Sequence, residues 1–202
     1  MQDLVDRVVL GQGVVGSQGW TTMANSWHNP NITAYKYDLA KAKALLDEMG
    51  LKDSNNDGVR ELDGKPLEIE LPFAAGFDNA RVPELVQQYL KEAGIKIKVV
   101  GIDRNLRDTR AIKGEYDLIL VGFGGLGGDP DSLRSTYSSK SPRTSFSQPF
   151  GWKNDEFDKL ADQQFRISDE AERRKITDKL QQILSDDLPQ LHLYHPTRFW
   201  AY

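Results

Sequence analysis

Between Gly114 and Leu133 the chain reads GEYDLILVGFGGLGGDPDSL, and few folds can accommodate such a stretch. Leu118, Ile119, Leu120 and Val121 are four consecutive large aliphatics, a pattern that predicts a strand from Tyr116 to Val121 covered on both faces in the middle of a sheet. Gly122, Gly124, Gly125, Gly127 and Gly128 then free the backbone and admit another molecule close to the main chain. Asp129 is placed to cap a short helix with Pro130 at its first position, where the missing N–H is harmless. A buried strand that runs out into glycines is where open α/β sheets hold their ligands.

Around this stretch the chain alternates strands and helices. Asp38 is placed to cap a helix whose packed face is Ala42, Leu45, Leu46 and Met49 and whose stop is Gly50. Leu67, Ile69 and Leu71 alternate with Glu68 and Glu70 in a strand. A helical stripe of Val82, Leu85, Val86, Tyr89 and Leu90 follows, ended by Gly94, and Ile95, Ile97 and Val99 form the next strand. Short links make this a βαβ unit with parallel strands and a right-handed crossover. A short helix from about Asn105 to Lys113 leads into the aliphatic strand.

Beyond Leu133 the polar stretch from Ser135 to Ser147, which carries Lys140 and Arg143, reads as a surface loop. Phe157, Leu160, Ala161 and Phe165 mark a helix capped near Asn154. Ser168 is the expected cap of another helix, with Ile176, Leu180, Ile183 and Leu184 as its core stripe and Asp169, Glu170 and Glu172 in its first turn. Leu191 and Leu193 alternate with His192 and Tyr194 in a last strand. From Val8 to Pro30 no helical or strand period is present, so that segment reads as an extended crossing, with Trp20 and Trp27 pinned against a neighbouring surface.

Composition narrows the function classes. With 30 acidic against 26 basic residues the net charge is −4, which is no footprint for nucleic acid. The absence of cysteine excludes disulfides, thiolate metal sites and a cysteine nucleophile. No apolar run approaches the ~20 residues of a membrane span. Met1 to Arg7 lacks the basic start and apolar core of a signal peptide, which leaves a cytoplasmic protein or a chain that begins inside a longer one.

Chemical motifs are few. Gly122 to Gly127 matches GxGxxG after a strand, the pattern of a dinucleotide site and of a cytoplasmic nucleotide-binding enzyme domain. Against it, no acid for a ribose lies between Ser132 and Asn154, and the Asp129-Pro130-Asp131 carboxylates would face a pyrophosphate. Asp53, Asn55 and Asp57 with Gly58 open like a calcium loop, but its twelfth position is Gly64 in place of glutamate, and Asx-rich turns form such sequences without metal. His192 and His195 alternate across a strand and so point to opposite faces. No GxSxG, HExxH or GxxxxGK[ST] is present, and nothing requires an enzyme or a cofactor.

The ordered series Tyr37-Asp38, Ala42-Lys43-Ala44-Leu45-Leu46, Gly50, Asn55 to Glu61 and Gly64-Lys65-Pro66-Leu67 resembles the C-terminal lobe of the large extracytoplasmic solute-binding proteins, the oligopeptide, dipeptide and nickel group (family 5) of ABC importers. The likeness continues through Leu90 to Ile95, Tyr116-Asp117-Leu118, Gly128 to Asp131, Asn154 to Phe157 and Leu188 to Tyr194. It implies a periplasmic-binding-protein-like (type II) α/β lobe with a mixed, mostly parallel sheet flanked by helices. Residues 1–37 would then be a crossing segment from a missing lobe, and 38–202 the lobe itself. The Asp53 to Gly58 element resembles the family's turn before a strand. The resemblance also implies an extracytoplasmic location, a small-molecule or oligopeptide solute enclosed against the N-terminal lobe of the same protein, and a membrane permease as partner. The ligand-contacting residues it implies are Phe123, Gly124, Gly125 and Leu126. In peptide-binding relatives an aspartate in this loop holds the peptide's amino terminus. Here Gly124, Gly125, Leu126 and Gly127 offer no carboxylate, and Asp129 reads as a cap, which leaves room for an oligosaccharide unless Asp131 or the missing lobe supplies the charge.

Overall fold

The computed structural model describes residues 1–20, 25–33, 35–76, 78–122 and 128–197. In chain order the elements are α1 (Gln2–Val8), β1 (Gly13–Val15), α2 (Leu39–Glu48), β2 (Glu61–Leu62), β3 (Lys65–Pro66), β4 (Glu68–Ala74) and α3 (Arg81–Glu92). Then follow β5 (Lys96–Ile102), α4 (Arg104–Lys113), α5 (Asp131–Tyr137), α6 (Asp155–Phe165), α7 (Glu170–Asp187) and β6 (Tyr194–Pro196). Two compact units emerge: Met1–Tyr35 with Phe123–Tyr202, and Lys36–Gly122.

In the 36–122 unit the expected βαβ element is present. β4 and β5 pair in parallel from Glu68↔Lys96 to Ala74↔Ile102, with α3 between them in sequence. Alternation sets the faces: Leu71, Phe73 and Ile97 are buried, while Lys96 reaches across the ladder to Glu68 at 2.7 Å. β2 and β3 close a hairpin through Asp63 and Gly64, both at positive φ (52° and 73°), so Gly64 serves a tight turn.

Two expectations for this unit fail. Asp38 caps α2 through Lys41 N–H, and Gly50 adopts φ 80° as predicted, but Leu45 and Met49 are 49% and 72% exposed. The end of α2 is held by polar bonds instead. The buried Arg60 guanidinium donates to Asp47 Oδ1 at 2.6 Å, to the Lys43 carbonyl at 3.3 Å and to the Leu51 carbonyl, while its Nε donates to the Ala93 carbonyl.

The aliphatic run at Tyr116 to Val121 forms no ladder, and Leu118 is 37% exposed. Leu120 N–H does donate to the Pro72 carbonyl at 2.9 Å, which lays the run along the free edge of β4. Extension of that pairing is blocked chemically. Pro72 has no N–H to return. Ala74 N–H is taken by Asp78 Oδ2 at 2.8 Å, and the Leu120 carbonyl by Arg107 at 3.0 Å.

The other unit is built on α5, α6 and α7. Leu133, Tyr137, Phe157, Ala161, Leu180 and Leu184 form its core with Trp20, and Trp152, Leu160, Ile176 and Ile183 pack around them. Asn154 caps α6 as predicted, whereas the cap of α7 is Asp169, whose carboxylate accepts Glu172 N–H, one residue beyond the expected Ser168. Phe165 is exposed and lies under the Arg134 guanidinium at 4.5 Å. The stretch expected to be a surface loop starts inside α5, with Tyr137 in the core. Its remainder winds around buried Gln148, which accepts the N–H groups of Thr144 and Ser145 and donates to the carbonyls of Ser135 and Pro142.

Within the segment expected to be an extended crossing, Gly13 to Val15 form a strand, since β1 pairs antiparallel with β6 from Gly13↔Pro196 to Val15↔Tyr194. The last strand therefore starts at Tyr194. At His192 the buried Gln18 amide replaces a ladder rung, donating to the carbonyl and accepting the N–H, each at 3.0 Å. Further on, α7 holds the chain by side-chain bonds: Gln181 spans Asn29 N–H and the Trp27 carbonyl, and Ser185 donates to the Thr33 carbonyl.

Gly16 makes a close approach that no other residue fits. A Cβ there would lie 2.1 Å from the His192 carbonyl oxygen, a backbone atom held by Gln18. Gly16→Ala is expected to destabilise this unit by about 1–3 kcal/mol, read as an earlier midpoint in denaturant unfolding followed by tryptophan fluorescence.

Candidate functional site

Phe123, Gly124, Gly125 and Leu126, the residues expected to touch a ligand, lie outside the described residues. Their flanks are described, one in each unit. Upstream, Leu120 to Gly122 follow the edge of β4. Arg107 of α4, with a fully buried side chain, donates to Asp78 Oδ2 at 3.0 Å, to Asp108 Oδ1 at 2.6 Å and to the Leu120 carbonyl at 3.0 Å. Asp103 starts α4 by accepting the N–H groups of Asn105 and Leu106, and Gly114 ends it in the left-handed region. These caps fix the turn of helix that carries Arg107.

Downstream, the expected cap shifts by one residue: Pro130 is the N-cap of α5 and no side chain caps the helix. Asp129 precedes it in an Asx turn, its Oδ1 accepting Asp131 N–H at 2.8 Å. The same oxygen accepts from Arg173 at 2.6 Å. The bond from Asp131 N–H, reinforced by Arg173, holds the Asp129 carboxyl below its ordinary pKa.

Asp131 is held in turn by Arg134, with Nε at 2.6 Å and Nη2 at 2.8 Å, and by buried Gln164 at 3.2 Å. Arg173 Nε donates to Gln164 Oε1 at 2.9 Å and so closes the chain Arg134–Asp131–Gln164–Arg173–Asp129. Beside it Trp27, in the position of a pinned side chain, lies under the guanidinium groups of Arg173 and Arg174 at 5.7 and 4.8 Å. Each carboxylate that borders the glycine loop on this side therefore has its own arginine.

Asp53 Oδ1 and Oδ2 accept Asp57 N–H and Gly58 N–H, Asn55 Oδ1 accepts Asp57 N–H, and Asp57 Oδ1 accepts Val59 N–H. The oxygens that could ligate calcium thus hold an Asx-rich turn. Among the described residues no group of three or more His, Cys, Asp or Glu is arranged to hold a metal ion.

His192 and His195 do not point to opposite faces. Their ring centroids are 6.3 Å apart, because His192 lies outside β6, where strand alternation does not apply. The His192 Nδ1–H donates to the Ser17 carbonyl at 2.9 Å, and burial drives its pKa down to about 4.

Sequence reasoning missed Arg107, Gln164 and Arg173. Arg107 carries a readable signal, since it sits four residues before buried Ala111 on the inner face of α4. Gln164 follows the same rule, three residues after Ala161. No sequence signal marks Arg173.

Comparison with known proteins locates this arrangement. The family model for bacterial extracellular solute-binding proteins, family 5 middle, matches residues 1–145. The oligopeptide-binding protein AppA of Bacillus subtilis is 28% identical over 208 residues, covering 99% of this chain and 37% of that protein. The structure of B. subtilis AppA in complex with a nonapeptide superimposes with a TM-score of 0.82 at 26% identity, over 96% of this chain and 39% of that one. A periplasmic oligopeptide-binding protein from Thermotoga maritima bound to mannohexaose gives a TM-score of 0.80 at 25% identity, over 98% of this chain and 39% of that one. The chain thus spans well under half the length of these relatives and has the type II periplasmic-binding-protein α/β fold. Nothing in these names favours the nucleotide-binding reading of Gly122 to Gly128.

Proposed function

This chain belongs to the bacterial extracellular solute-binding proteins of family 5, and we infer from that membership that it is part of the solute-capturing component of an ABC importer. It binds and does not catalyse. The site is a solute cleft outside the cytoplasm, to which Phe123, Gly124, Gly125 and Leu126 contribute an aromatic face and backbone N–H groups. Residues 1–37 enter from an N-terminal lobe of the same protein, and residues 38–202 supply the second wall. Solute contacts from both walls favour a closed state that the membrane permease recognises.

One observation carries the finer reading. Asp129 and Asp131, the carboxylates bordering the glycine loop, are neutralised by Arg173 and Arg134, and the loop itself contains no charged residue. A solute ammonium group would have to compete with the Arg134 guanidinium, bonded at 2.6 and 2.8 Å, for both oxygens of Asp131, and at the more exposed Asp129 it would meet a carboxylate whose charge Arg173 already balances. This wall therefore suits a solute that presents hydroxyl and carbonyl groups, such as an oligosaccharide, over one that presents a free amino terminus.

Native mass spectrometry of the gently purified full-length protein tests the reading, with thermal-shift measurements on mannohexaose, a free peptide and its N-acetylated form. The expected result is a retained neutral solute, and a stabilisation of about 2.7 kcal/mol when a neutral solute is present at 100 times its Kd. Strong stabilisation by the free peptide that disappears on acetylation would overturn the neutral-solute reading.

A further inference from the structure

An arginine with a 0% exposed side chain is an unusual component of a small unit, because its charge cannot be shed and its burial is costly unless every contact is good. Arg107 marks the meeting of three pieces of chain: the end of β4, α4, and the run from Leu120 to Gly122. Its partner Asp78 is fixed independently. Asp78 N–H donates to the Ala74 carbonyl at 2.9 Å while its Oδ2 accepts Ala74 N–H at 2.8 Å. At Gly122 the nearest neighbour of a would-be Cβ is Asp78 Oδ1, at 4.0 Å.

The sheet edge explains what the pair does. After the bond from Leu120 N–H to the Pro72 carbonyl, the next rung of a parallel ladder would join Ala74 N–H to the Leu120 carbonyl. That rung is replaced by a longer relay. Ala74 N–H donates to the Asp78 carboxylate, the carboxylate pairs with the Arg107 guanidinium, and the guanidinium donates to the Leu120 carbonyl. A side-chain ion pair inserted where a direct bond would form spaces the chain off the sheet at Leu120 and sets the direction in which it leaves.

We propose that Arg107 and Asp78 are a positioning pair that fixes the exit of the chain at Leu120 to Gly122 and thereby presents the solute loop. The second half of that statement rests on the reading of Phe123 to Leu126 as solute contacts; the first half does not. Apolar side chains in place of both Arg107 and Asp78 would suit the buried site at least as well energetically, so the retained ion pair is explained by placement of the Leu120 carbonyl and not by core stability.

Amide hydrogen exchange on the full-length protein tests the pair. In Arg107→Met, exchange at Leu120, Val121 and Gly122 is expected to rise about tenfold or more, the factor for a lost charge-assisted hydrogen bond, with the β4–β5 ladder amides unchanged. Arg107→Lys, which restores one donor, should recover part of that protection. Asp78→Asn keeps an acceptor for Ala74 N–H and removes the charge. It should give an intermediate rise, and it serves if the Met variant does not fold. Unchanged exchange at Leu120 to Gly122 in a folded variant, or an equal rise across the whole 36–122 unit, would overturn the proposal. Mannohexaose binding is scored separately. If those amides loosen while its affinity is unaltered, the positioning pair stands and the assignment of Phe123 to Leu126 falls.

Discussion

Phe157→Ala is expected to lower the stability of the unit built on α5, α6 and α7 by about 3–5 kcal/mol. The ring is 0% exposed and sits edge-on to two others, with centroids 5.2 Å from Trp152 and 6.2 Å from Tyr137. Removing it takes away the burial of a large aromatic and leaves a cavity whose walls are themselves rings, which cannot collapse far. Such a loss is a large fraction of the ~5–15 kcal/mol by which a domain is stable. Phe165→Ala on the same helix is the control. Phe165 is 58% exposed and touches the Arg134 guanidinium, so its loss should cost only about 0.5–1 kcal/mol. Urea unfolding followed by tryptophan fluorescence separates the two variants. All four tryptophans lie outside residues 36–122, so the signal reports on this unit alone. Similar losses for both phenylalanines would mean that the core is not centred on Phe157.

That pair of residues also shows where periodicity reads true and where it stops. Phe157, Leu160, Ala161 and Phe165 satisfy one helical stripe, yet only the first and third are fully buried, because a stripe gives a direction and not the extent of the neighbour it faces. Local chemistry was legible. Asp38 and Asn154 cap as their sequence context predicts, Gly50 and Gly94 are left-handed, and the alternation of Lys96 and Lys98 with apolar residues forecast a strand whose parallel pairing followed from the short links of the βαβ unit. Side-chain substitutes for backbone bonds were not legible. Gln18 standing in for a rung at His192, Arg60 holding the end of α2, and Arg107 with Asp78 displacing the ladder at Leu120 all join residues far apart in sequence. A run of aliphatics predicts a strand, but whether a ladder forms depends on which N–H and C=O groups are still free. At the glycine loop, sequence alone left open whether Asp131 could receive a solute amine. The partners of the two acids were legible only in part: Arg134 lies three residues from Asp131 at helical spacing, whereas no local rule connects Arg173 to Asp129.

Acidification should loosen the same unit before its carboxylates titrate. His192 is 8% exposed, and burial lowers its pKa from 6.5 to about 4, opposed by its bond to the Ser17 carbonyl and aided by the nearby His195. Above pH about 6.5 the ring is neutral whether the chain is folded or unfolded, so the unit keeps its full stability. Between about 6.5 and about 4 the unfolded chain takes up a proton that the folded unit resists, and stability falls with pH. Over that window the loss is about 3 kcal/mol at ~1.36 kcal/mol per pKa unit. Below about pH 4 the His192 contribution is exhausted. His195, also lowered by burial, adds to the fall, whereas Asp178, raised by burial, opposes it at the acid end. His192→Asn places an amide N–H near the position of Nδ1, keeps a donor for the Ser17 carbonyl and cannot titrate. The expected result is a unit slightly less stable at neutral pH, with most of its pH slope between 6.5 and 4 removed. An unchanged slope would mean that the acid sensitivity arises elsewhere. A vanished slope would identify one imidazole, wedged where Gln18 replaces a ladder rung, as the reason the unit prefers neutral pH.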